Sequence, residues 1–176
     1  FPICGNLPDD VLPLEKGDFI LRQHGFARDI CWQIRSINDQ GSVLLSLSDN
    51  EETRRAYPYS FLIEMEVRLR KNIIEFTIIV RNSSKDLMPF SFGLHPYFNV
   101  MDLRKTMIKG LHSTSTNHFN MMEVDTDQEL ERISEGIDLV NGPSESVTLV
   151  DLLAGRSLQV QQQEPMDLTV VWTDPP

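Results

Sequence analysis

The chain has 176 residues, enough to bury a substantial core and short enough for a single domain. Hydrophobic residues make up 40% and charged residues 24%, the balance of an ordinary globular domain, and apolar runs such as Ile78-Ile79-Val80 are far too short to cross a bilayer. A formal net charge of −10 argues against a nucleic-acid partner, although one local arginine pocket can still hold a small anion.

The chain opens at Phe1 without a methionine, and its two cysteines are Cys4 and Cys31. Two cysteines make no disulfide framework; buried or free thiols in a reducing cytosol are the plain reading, so the expected location is cytoplasmic. Strands are predicted near residues 19–21, 32–37 and 43–48, the first leading into Gln23-His24-Gly25-Phe26-Ala27-Arg28. Residues 49–55 fit one short helical turn, capped by Asp49 or Asn50 and ended before Tyr57-Pro58.

Over residues 61–69, Phe61, Ile63, Met65, Val67 and Leu69 alternate with Leu62, Glu64, Glu66 and Arg68, the pattern of a strand with one dry and one wet face. Lys71-Asn72 supplies a turn signal, and residues 73–81 repeat the alternation with Ile74, Phe76, Ile78 and Val80 inward, which predicts a long hairpin. Further strands are predicted near 91–95, 147–151, 157–161 and 168–172, with a weak helix over 127–133. The segment 101–142 is the least patterned and is expected to loop over the sheets. Many closely spaced strands with few helices predict an all-β antiparallel sandwich or barrel. The end at Asp174-Pro175-Pro176 has no helix cap or polar tail, so residues 1–176 are expected to be one domain within a longer protein, truncated at both ends.

Two segments stand out, 23–28 and Gly93-Leu94-His95-Pro96-Tyr97-Phe98, each setting a histidine beside a glycine and an aromatic residue. Histidine titrates near neutral pH, so two in one cleft could handle protons. On a strand over 90–97, Phe90, Phe92 and Leu94 share the core face, while Ser91, Gly93, His95 and Tyr97 share the other. His95 then projects beside Gly93, whose missing side chain leaves room for something to approach the sheet, and Pro96 ends the ladder. A ring held this way suits a proton donor; a structural histidine in a satisfied hydrogen-bond network fits the same pattern. His24 precedes Gly25, which permits unusual backbone angles or close packing. Arg28 could aim its guanidinium at a phosphate or carboxylate in the same cleft, or pair with Asp29 on the surface. His112 and His118 sit in a polar segment where no cysteine or close acid completes a ligand set, so no metal is expected.

The ordered set of motifs resembles the aldose 1-epimerase (galactose mutarotase-like) family. The matching text is QHGFARD at 23–29 and FGLHPYF at 92–98, flanked by FPICGNLP from Phe1, RRAYPYSF from Arg54, RNSS with MPF up to Phe90, and VVWTDPP at the end. The HGFAR form most resembles the branch acting on hexose-6-phosphates. The resemblance implies an antiparallel β-supersandwich with a cleft across one sheet face. It also implies an enzyme that interconverts the α and β anomers of a hexose or hexose-6-phosphate by acid–base ring opening, without cofactor or metal. By this resemblance His95 is the acid that protonates the ring oxygen, His24 hydrogen-bonds the sugar near that oxygen, and Arg28 contacts a hydroxyl or phosphate. Tyr57, Tyr59, Phe26 and Tyr97 are candidates for stacking on sugar rings, against core packing. The family's general base is a glutamate beyond the VVW…P strand, which this chain does not reach. The parent protein is therefore expected to be the enzyme and residues 1–176 alone to be inactive. The alternative is a non-catalytic carbohydrate-binding module on the same sandwich.

Overall fold

Period-two alternation becomes strand in the long predicted hairpin, and strand is the main regular structure of the chain. In the computed structural model, which describes residues 1–174, the chain divides into two compact units, Phe1–His95 and Pro96–Pro176.

The first unit begins with a hairpin of β1 (Val11–Leu14) and β2 (Gly17–Ile20), paired antiparallel from Val11↔Ile20 to Leu14↔Gly17. A four-stranded antiparallel sheet follows in chain order: β3 (Gln33–Asn38), β4 (Ser42–Ser48), β5 (Phe61–Arg70) and β6 (Ile73–Asn82). The predicted hairpin is β5–β6, in register from Phe61↔Asn82 to Arg70↔Ile73 around the two-residue Lys71-Asn72 turn. Its apolar face meets a core of Phe1, Ala27, Leu47, Tyr57, Tyr59, Phe61 and Ile63, and each large side chain buried there contributes roughly 1.5–3 kcal/mol. Ile78 and Val80 pack against that cluster, as the alternation requires. Ile74 and Phe76 share their face but are 59% and 48% exposed, because the strands run on past the end of the core.

Between β4 and β5 lies the short helix α1 (Glu51–Ala56). Asn50 is its cap: its side chain accepts from the Thr53 N–H at 2.9 Å, while Thr53 Oγ1 accepts from the Asn50 N–H at 2.8 Å. Asp49, the other candidate, instead accepts the Phe61 N–H at 2.8 Å and pairs with Arg54 at 2.5 Å.

The expected strand at 91–95 does not form; residues 91–100 carry no strand or helix. Pro89 and Pro96 bracket the segment and lack the N–H a ladder needs. Its neighbour, the strip from Pro2 to Cys4, offers one backbone bond, Ser91 N–H to Pro2 O at 2.8 Å, and a side chain in place of the next, Cys4 N–H to Ser91 Oγ at 2.8 Å.

The second unit holds two antiparallel sheets. One is ordered β12–β11–β7, from Arg156–Gln161, Ser146–Asp151 and Thr106–Lys109. The other is ordered β13–β10–β8–β9, from Thr169–Thr173, Ile137–Asn141, Thr114–Asn117 and Met122–Asp125. A short helix α2 (Thr126–Leu130) precedes β10, and Ile133, Ile137 and Leu139 form the core. The segment 101–142 is thus mostly ordered, not loop. Hydropathy misses β8 because its buried positions are Ser115 and Asn117. A hydrogen-bonded network fills that inward face: buried Asn141 donates to Ser115 Oγ at 2.8 Å, Thr114 O at 3.0 Å and His112 O at 3.2 Å, and accepts the His112 N–H at 2.9 Å. Among the described residues no helix is long and apolar enough to cross a membrane.

Candidate functional site

His24 sits in a tight turn closed by the Gly25 N–H to Arg22 O bond at 2.8 Å. Its φ is +63° and that of Gly25 is +67°, a left-handed pair that turns the chain sharply after β2. Gly25 is required on a second count. A Cβ there would overlap the carbonyl oxygen of Phe1 and lie 2.7 Å from its carbonyl carbon, and that oxygen also accepts the Phe26 and Ala27 N–H groups at 3.1 and 3.2 Å.

Two bonds fix the His24 residue from the other side. The Gly5 N–H donates to Nδ1 at 2.9 Å, and the His24 N–H donates to Gly5 O at 2.9 Å. Partial burial lowers the pKa of His24 from its ordinary 6.5, and the charges of Arg28 and His95 push in the same direction. The imidazole is therefore held neutral near pH 7.

The segment carrying His95 brings its ring to His24, with centroids 5.6 Å apart and planes at 82°, an edge-to-face pair. Both rings belong to the first unit; His95 is exposed and His24 half-buried. Gly93 does leave room for an approaching group, and the group is Cys4 of this chain, whose Sγ would lie 2.9 Å from a Cβ at position 93. Both cysteines are free and exposed.

Arg28 lies beside the His24 turn and near Asp29. Its Nη2 donates to the Gln23 carbonyl at 3.1 Å, tying the guanidinium to the His24 turn, and its Nε is 3.9 Å from Asp29 Oδ2. With more than half of the side chain exposed, that ion pair is loose. Its charge is one of the causes that lower the His24 pKa.

The aromatic candidates separate sharply. Tyr57 and Tyr59 are buried in the core, with Tyr57 Oη donating to Pro89 O at 2.6 Å, and burial raises the Tyr57 pKa. Phe26 stacks on Phe61 at 6.0 Å and packs against the same core. The core takes up both tyrosines, whereas Phe26 is only partly buried against it. Tyr97 is 77% exposed and meets Trp172 edge-to-face at 6.2 Å within the second unit.

Sequence reasoning missed two groups. One is the Gly5 amide, which carries no side-chain signal. The other is Asp138, whose carboxylate lies 3.0 Å from His118 Nδ1 and whose cross-strand partner is Trp172. His118 and Asp138 meet because β8 pairs with β10 through Leu139↔Asn117, a register invisible to local pattern. His112 instead has Nε2 2.6 Å from Pro143 O. Among the described residues no three His, Cys, Asp or Glu side chains converge as a metal-binding set. In VVWTDPP, Val170 to Thr173 lie in β13, and Pro175 and Pro176 lie outside the described residues.

A family model described as aldose 1-epimerase matches residues 16–176. A Cenchrus ciliaris protein named "Putative glucose-6-phosphate 1-epimerase" is 34% identical over 104 residues, 53% of this chain and 32% of its own length. A protein of the same name from Escherichia coli K12 is 30% identical over 94 residues, 52% of this chain and 30% of its own. The chain therefore matches about a third of the length of these curated relatives. Among solved structures, a protein from Synechocystis sp. PCC 6803 has a TM-score of 0.91 at 28% identity, covering 98% of this chain and 61% of that one. A galactose mutarotase-like protein from Clostridium acetobutylicum has a TM-score of 0.76 at 14% identity, over 98% of this chain and 63% of its own, a likeness of fold. The antiparallel β architecture is that of the galactose mutarotase-like proteins. Since the family model runs through both histidine segments and almost the whole sequence, the chain belongs to the aldose 1-epimerase family.

Proposed function

We propose that the protein containing this chain is an aldose 1-epimerase that interconverts the α and β anomers of a hexose or hexose-6-phosphate in the cytoplasm, with residues 1–176 forming part of one mutarotase-like domain. The observation that carries the reading is the edge-to-face meeting of His24 and His95, two titratable rings from distant segments, both accessible to a ligand. In the proposed reaction a base takes the C1 hydroxyl proton while His95 gives a proton to the ring oxygen. The C1–O5 bond breaks, and C1 becomes the aldehyde carbon. Rotation about C1–C2 and the reverse proton transfers close the ring on the other face. The reaction requires no cofactor. His24, neutral and with Nδ1 occupied by Gly5, offers Nε2–H to the sugar near the ring oxygen. The base is a glutamate outside residues 1–176. Arg28, tethered beside His24, binds a sugar hydroxyl or the phosphate; the names of the Cenchrus and Escherichia relatives favour the phosphate.

Polarimetric equilibration rates of the full-length protein with glucose, galactose and glucose-6-phosphate test the proposal. His95→Ala is expected to lower turnover at least about a hundredfold, the effect of losing a general acid. An unchanged rate in folded protein rejects the role. Arg28→Ala should impair the phosphorylated sugar more than the free one, and equal losses would remove phosphate from its role. A second reading, a non-catalytic carbohydrate-binding module, is favoured by the exposed Tyr97–Trp172 pair. Sugar binding without any acceleration of anomer exchange would select it.

A further inference from the structure

His24 has two ring nitrogens, and which one carries the proton decides what the ring can do. In a neutral imidazole one nitrogen donates and the other accepts. The Gly5 N–H is a donor only, and it points at Nδ1 across 2.9 Å, so Nδ1 must keep its lone pair and the proton must reside on Nε2. The return bond, His24 N–H to Gly5 O at 2.9 Å, closes a ring of contacts and stops the two residues from sliding past each other. Gly5 meets this geometry with φ at +81°, a conformation that glycine adopts without steric cost.

The same strip is fastened to the other histidine segment. The Ser91 N–H donates to Pro2 O, the Cys4 N–H donates to Ser91 Oγ, and Cys4 Sγ fills the space that Gly93 leaves. Ser91 and Gly93 stand four and two residues before His95. One short stretch, Pro2 to Gly5, therefore contacts the backbone on the His95 side and the ring on the His24 side.

We infer that the main-chain amide of Gly5 is a positioning group for the sugar site: it pins His24 as the Nε2–H tautomer, a fixed hydrogen-bond donor that cannot take up the proton released from C1. This rests on the sugar-epimerase reading for its consequence in catalysis, but not for the tautomer itself. His24 then polarises and orients, and the proton given to the ring oxygen comes from His95. A hydrogen bond prearranged in this way requires no reorganisation as charge develops on the sugar oxygen.

The test uses the full-length protein labelled with ¹⁵N. The His24 ring signals, assigned by their loss in His24→Gln, should show an unprotonated Nδ1 and a protonated Nε2 at neutral pH, with a coupling across the hydrogen bond to the Gly5 nitrogen. A dominant Nδ1–H form, or an equal mixture of tautomers, overturns the inference whether or not the protein turns over sugars. Failure of the epimerase reading would leave this spectrum unchanged, so the two failures are separable. Activity supplies a second arm. Gln can place an N–H near the Nε2 position, whereas Asn reaches only to the Nδ1 position. His24→Asn should therefore lose at least about tenfold more turnover than His24→Gln, a fraction of what removing one such donor costs. Equal losses, or the reverse order, would show that the Nε2–H is not what the site uses.

Discussion

A histidine at φ +63° followed by a glycine at φ +67° is a local conformation that most side chains resist, and here it is held by bonds from residues far away in sequence. Gly25→Ala should therefore destabilise the fold by about 2 kcal/mol or more, since the new methyl group would meet backbone atoms of Phe1 that cannot yield cheaply. Urea unfolding measures this, and a loss below about 0.5 kcal/mol would mean that the turn is soft. The lowered pKa of His24 also predicts a pH dependence. As pH falls through about 6.5, the unfolded chain binds a proton at this position while the folded chain does not. Stability contributed at neutral pH is then lost until the folded ring also protonates. Unfolding midpoints above and below about pH 6.5 should show this decline in the native protein and a weaker decline in His24→Gln; identical slopes would remove His24 as its source. The histidine motifs were legible in the sequence because a histidine beside a glycine and an aromatic residue stands out by residue type alone. The Gly5 amide was not, since every residue except proline has such a group and only folding aims one.

At the scale of elements, long apolar alternation was readable, while strands with polar inward faces and short strands such as β10, whose Ile137 and Leu139 are buried, were not. β5 and β6 announce themselves by alternation, whereas β8 turns Ser115 and Asn117 inward and depends on Asn141 to satisfy them. Asn141→Ala should cost about 3 kcal/mol, because three donor contacts and one acceptor contact vanish from a site without water access. If calorimetry gave a loss near zero, the network would be incidental. Asn50→Ala should cost about 1 kcal/mol through its capping box on α1. The segment around His95 failed as a predicted strand for an equally physical reason. Of its expected core face only Phe92 packs against the core, while Phe90 and Leu94 are exposed, and Pro89, Pro96 and a side-chain acceptor at Ser91 leave the segment without a ladder.

Over the whole molecule, burial departs from pattern where an apolar face outruns its core. Ile34, Ile37, Ile74 and Phe76 are 63%, 73%, 59% and 48% exposed in the first unit. Ile37→Lys and Phe76→Lys should change the stability of residues 1–176 by no more than about 0.5 kcal/mol and reduce self-association in sedimentation. Ile63→Lys, at a fully buried position, should unfold it. Comparable losses in all three would show that the exposed face is packed in solution. The sequence by itself determined the β class, the long hairpin, the acidic surface and the two histidine motifs, because alternation, turn residues and charge act over a few neighbouring positions. Tertiary structure decided which faces are covered, which ring nitrogen of His24 is free to donate, and that His118 meets Asp138 while His24 meets His95. Those outcomes depend on strand register and on backbone groups brought together from distant parts of the chain, and neither is encoded in any local run of residues.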